Sequence, residues 1–117
     1  VRTFNVKAFR AWFTETASIT EIAEGTDPDA RTTVIEAIRH GPVAPYYPHS
    51  AHEVERLGNW ATIAKQRQVH CEVNPLLKAD MFFFTSDGDE YVIRRILPWS
   101  ANSTHAAFYE LHLEIDN

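Results

Sequence analysis

The chain has 117 residues, 44% of them hydrophobic and 12% aromatic, which suits one folded domain with a core and excludes a disordered tail. Eleven Lys and Arg against sixteen Asp and Glu leave a net charge of −5, and Arg94-Arg95 is the only adjacent basic pair. That balance speaks against broad nucleic-acid binding, which draws on phosphate contacts, and no apolar run approaches the ~18 residues of a membrane span.

In chain order, Phe9, Phe13 and Ala17 recur at i, i+4 and i+8, the apolar face of an amphipathic helix. Ser18 with Glu21 has the form of a capping box, which predicts a second short helix over 18–25, closed by Gly25. Asp27-Pro28 reads as another helix start. Ala30, Val34 and Ile38 then supply a buried stripe over 29–40, and Gly41-Pro42 ends it. The stretch 41–48 carries Pro42, Pro45 and Pro48 with Tyr46 and Tyr47, a stiff loop with extended backbone. Ser50 with Glu53 is a further capping box, opening a helix with Val54, Leu57, Ala61 and Ala64 on one face.

Near position 68 the period changes from helical to pleated. Val69, Cys71 and Val73 alternate with His70, Glu72 and Asn74, a half-buried strand that Pro75 ends. The runs 81–84 and 91–97 flank Asp87-Gly88 and predict an antiparallel hairpin. As a two-residue loop it would set Phe84 opposite Tyr91 and Phe82 opposite Ile93, with Pro98 ending the second strand. Over 105–115, Ala107, Tyr109, Leu111, Leu113 and Ile115 point one way, while Phe108, Glu110, His112 and Glu114 form a wet face. The fold expected is a single α+β domain over 1–117. Three to four N-terminal helices would pack on a mainly antiparallel sheet of about four C-terminal strands.

The chemistry-bearing candidates follow from that layout. Glu110, His112 and Glu114 share one face of the last strand, and His70 lies on the polar side of an earlier one. Were those strands neighbours in register, imidazoles and carboxylates would converge as a metal or acid–base site. The bland reading, a solvated strand face, is the stronger one, so no metal and no cofactor are expected. His49 and His52 straddle a predicted cap without a metal signature. Cys71 alternates with Val69 and Val73, as a core residue would. Being the only cysteine, it cannot close an internal disulfide, and a cytoplasmic location is expected. No phosphate loop, nucleophile elbow or Cys-x-x-Cys pair occurs.

Tyr46 and Tyr47 in the proline loop and Trp99 after Pro98 are the candidate binding residues, because stiff aromatic loops lose little entropy on docking. The function expected is a small acidic protein-interaction module without catalytic activity, of the inhibitor, immunity or adaptor type. Its partner would be another protein, with a basic surface suiting the negative charge; no membrane or nucleic acid is expected, and a homodimer stays open. Two alternatives are kept. One is a small hydrolase or isomerase using His and Glu on the sheet, with or without a metal. The other is a winged helix-turn-helix regulator reading DNA with Arg31, Thr32, Thr33 and Arg39.

Overall fold

The structure is a computed structural model that describes residues 11–25, 27, 29–46, 64–100 and 107–116. Seven antiparallel strands run through them: β1 (Glu15–Ile22), β2 (Arg31–His40), β3 (Ala44–Pro45), β4 (Gln66–Cys71), β5 (Phe82–Thr85), β6 (Glu90–Trp99) and β7 (Phe108–Ile115). The expected α+β architecture is therefore wrong: the described chain is all-β, with seven strands where about four were expected and no helix packed on them. The helix expected from Ser50 onward lies almost wholly outside the described residues, as do Phe9 and Tyr47.

The two helices expected over 18–25 and 29–40 are strands for identifiable reasons. β1 carries Thr16, Ile19, Thr20 and Ile22, and β2 carries Thr32, Thr33, Val34, Ile35 and Ile38, β-branched side chains that pack well on a pleated surface. Asp27, expected to cap a helix, instead accepts from the Asp29 amide at 2.9 Å, an Asx turn that reverses the chain between β1 and β2. The Arg31–Thr33 stretch of the supposed recognition helix thus lies on a strand.

The strands run in the order β2-β1-β5-β6-β7-β4-β3, and β2 also pairs with β4 through His40 and Cys71. The ring of six closes, and β3 extends it outside β4. Within it β5, β6 and β7 form a meander, and β4 returns beside β7, a Greek-key arrangement. Every ring strand sends side chains to one interior. Ala17, Ile19, Ile35, Ile38, Val69, Cys71, Phe83, Ile93, Leu111 and Leu113 form a single buried cluster, joined by Leu77 and Met81 from the β4–β5 connection. Each fully buried Ile, Leu or Phe among them contributes roughly 1.5–3 kcal/mol.

Bulges bend the wall into a ring. β2 carries two extra residues against β1, and the one between Ile38 and Ile35 brings both of these to the interior. β6 carries one against β7 between Ile93 and Arg95. The β5–β6 hairpin also differs from expectation. Thr85 pairs with Asp89 across a three-residue loop, so Phe83 faces Tyr91 and Phe82 faces Val92. Gly88, at φ 96°, supplies the left-handed residue that such loops require. Pro98 does not end β6, which continues to Trp99 with Pro98 opposite Tyr109.

Candidate functional site

The strands β4 and β7 are neighbours in register, with His70 opposite Glu110 and Gln68 opposite His112. On the outer face of the barrel the condition set from sequence is therefore met. Glu110 Oε2 accepts from His112 Nε2 at 2.7 Å, and Oε1 accepts from Gln68 Nε2 at 3.1 Å and His70 Nε2 at 3.3 Å. A carboxylate only accepts, so each imidazole carries its proton on Nε2 when neutral. For His112 this leaves Nδ1 as the other ring nitrogen, buried and without a partner.

The expectation of one wet face on β7 does not hold here. His112 is 6% exposed and Phe108 4%, and the Glu110 side chain retains only 12% of its surface. Tyr46, just past β3, lays its ring over His112 with centroids 4.6 Å apart. It gets there because β3 pairs with β4 and the Tyr46 amide donates to the Gln66 carbonyl. Glu114 stands apart from the cluster and accepts from Arg94 Nε at 3.2 Å. Among the described residues no group of three or more His, Cys, Asp or Glu side chains is placed to hold a metal ion.

His70 is the member that meets solvent, with 31% of its side chain exposed. It borders a mainly apolar cleft of about 280 Å³ walled by Trp12, Phe13, Pro42 and Ala44, with Gln68 beside it. Trp12 is 70% exposed at the rim. The rings continue in the other direction: His70 meets Phe108 edge-on at 5.5 Å, and Phe108 stacks under Trp99 at 6.1 Å. Trp99, half exposed, thus belongs to the same outer surface as the cleft. Of the binding residues expected from sequence, Tyr46 packs inward on His112 and Trp99 stays outward. Trp12 was missed, because it falls off the Phe9, Phe13 and Ala17 stripe that reads as the apolar face of a helix.

No family model, curated protein or solved structure matches the chain. Among the described residues no helix is long and apolar enough to cross a membrane.

Proposed function

We propose that the protein is a non-catalytic interaction module that docks a partner protein on the aromatic surface running from Trp12 across the His70 cleft to Trp99. The observation that carries this reading is the cleft itself: a concave apolar wall rimmed by an exposed tryptophan, with one polar imidazole held in place by a buried carboxylate. Such anchors, apolar in body with a fixed polar tip, are the groups that dominate protein interfaces. The net charge of −5 favours a partner with a basic surface, and the lone buried Cys71 suits a cytoplasmic setting.

Affinity capture from the native host with the full chain tests it. The expected result is a partner retained by the wild type and lost with Trp12→Ala, at a hot-spot cost of at least about 2 kcal/mol, while Glu21→Ala on the opposite hairpin retains it. Equal capture by the Trp12 variant would remove the cleft from the interface.

A second reading has one observation in its favour. His70 hydrogen-bonds a carboxylate that is itself positioned by His112 and Gln68, the base-and-orienter half of an acid–base site, and it does so at the edge of a cleft. In that reading His70 is the general base of a small hydrolase or isomerase. Turnover of any substrate by the purified protein, abolished in His70→Ala and kept in Trp99→Ala, would establish the enzyme over the docking module.

A further inference from the structure

The interior parity of the strands collects a second set of polar groups at one end of the barrel, on the other side of Pro42 from the His70 cleft. Glu15 follows the inward alternation of Ala17 and Ile19, and His40 stands opposite it on β2. Thr85 pairs with Ala17 and Tyr91 with Phe83, so these two also face inward at the same end. Asp87 and Asp89 come from the β5–β6 loop above them. Together they line an open cleft of about 250 Å³, many times the ~30 Å³ share of one water molecule.

One of the residues lining that cleft carries an unsatisfied atom. His40 is 1% exposed, and its Nδ1 lies 2.6 Å from the Gly41 carbonyl. A carbonyl only accepts, so Nδ1 carries the proton and donates it, and Nε2 of the neutral ring is a lone-pair acceptor. That Nε2 is buried with no partner, a state that costs free energy until a donor reaches it. Around it, none of Glu15, Asp87 and Asp89 has an ion pair among the described residues. The Tyr91 hydroxyl is held above its ordinary range, first by burial and then by Asp89, with Arg67 opposing and Asp87 adding. Among the described residues, Arg67 is the cation whose field lowers the Tyr91 hydroxyl, and three carboxylates line the mouth.

We propose that this barrel mouth is a binding site for a primary alkylammonium group, whose N–H donors reach His40 Nε2 and the flanking carboxylates of Glu15, Asp87 and Asp89. An imidazole acceptor selects an occupant that donates, and the carboxylates select one that is positive. A bare metal ion fits less well, since no three ligands among the described residues stand close enough to hold it. Pro42 and Val43 complete the lining and give the methylene chain of an alkylamine an apolar wall. The site does not depend on the docking surface proposed above, and either can fail alone.

Titration of the full chain with n-butylamine, followed by amide chemical shifts, tests the site. The expected result is saturable binding with shifts centred on Glu15, Gly41, Thr85, Asp89 and Tyr91. Asp89→Asn and Glu15→Gln should each weaken it about tenfold, the value of one charge-assisted hydrogen bond, and Glu21→Gln should leave it unchanged. Butyltrimethylammonium, with the same charge and no N–H, should bind at least about tenfold more weakly. A blocked lysine (Nα-acetyl-lysine methylamide) distinguishes the source. Binding as tight as butylamine assigns the site to a lysine side chain of a partner, and binding of the free amine alone assigns it to a small metabolite-like amine. Equal affinity for the trimethylated probe, an equal loss in Glu21→Gln, or no saturable shift would overturn the proposal.

Discussion

Cys71 sits where β4 meets β2, wholly buried, and its environment has a chemical consequence. Burial, with the Glu72 carboxylate adding to it, pushes the thiol pKa from 9.0 up to about 12. The reactive thiolate is therefore scarce in the folded protein at any ordinary pH. Iodoacetamide at pH 9 should modify Cys71 slowly in the native chain and faster by orders of magnitude in denaturant. Rapid native labelling would mean that the seam beside it opens readily. The sign of the linked stability follows from the same shift. A folded-state value above the unfolded one favours folding fully below about pH 9, and that contribution is lost as pH rises toward 12. Tyr91, also raised, adds in the same direction. Chemical denaturation midpoints should accordingly fall between pH 9 and 12, and a Cys71→Ala variant should show a shallower fall.

At the level of single elements, the β5–β6 hairpin depends on Gly88. Its φ of 96° lies in the region that side-chain-bearing residues avoid, while a Cβ there would meet nothing within 4 Å. Gly88→Ala should thus cost about 1 kcal/mol through backbone strain alone, read as a lower urea midpoint, with Gly88→Asn recovering part of it. A neutral Ala variant would show that the loop can adopt another turn. This hairpin also marks how far the sequence could be read. Its two strands and its turn residues are visible as residue types. The register is not, because a two-residue and a three-residue loop accommodate the same Asp-Gly and differ by one step. β4 and β7 were legible as clean alternation, but the meeting of His70, Glu110 and His112 was not, because it depends on the two strands being neighbours in register, and a solvated face was the stronger expectation. β2 was not legible, because Ala30, Val34 and Ile38 happen to recur at helical spacing, while a bulge between Ile35 and Ile38 breaks the strict alternation that marks a strand. The mouth site was beyond reach for a different reason. Its residues come from the ends of separate strands, and the β2-β1-β5 pairing order, which no local pattern reveals, brings Glu15, His40 and Asp89 together.

For the whole molecule, the ring of strands is only as closed as its weakest joint. β1 pairs with β2 over seven registered positions and β6 with β7 over eight, but β2 meets β4 at His40 and Cys71 alone. Flanking bonds reinforce the joint: the Gly41 amide donates to the His70 carbonyl at 2.9 Å, and the Glu72 amide to the Arg39 carbonyl at 3.0 Å. The Arg39 amide adds a bond to Glu72 Oε1, and its guanidinium donates to the Phe13 carbonyl. Below His40, β2 makes no ladder with β4, and its outer edge is guarded instead by bulges and by Arg31 and Glu36, features that discourage a foreign strand from pairing there. The short joint and the mouth site share His40, so opening the first disrupts the second. Native-state hydrogen exchange should therefore find the Gly41 and Glu72 amides opening at a lower free energy, and with a smaller denaturant dependence, than the Ile93 or Phe83 amides of the continuous ladder. Saturating n-butylamine should raise the protection of Gly41 selectively, because the amine binds only the closed mouth. Exchange of all four amides at one common free energy would show instead that the barrel opens only by global unfolding, with the β2–β4 joint as firm as the rest of the wall.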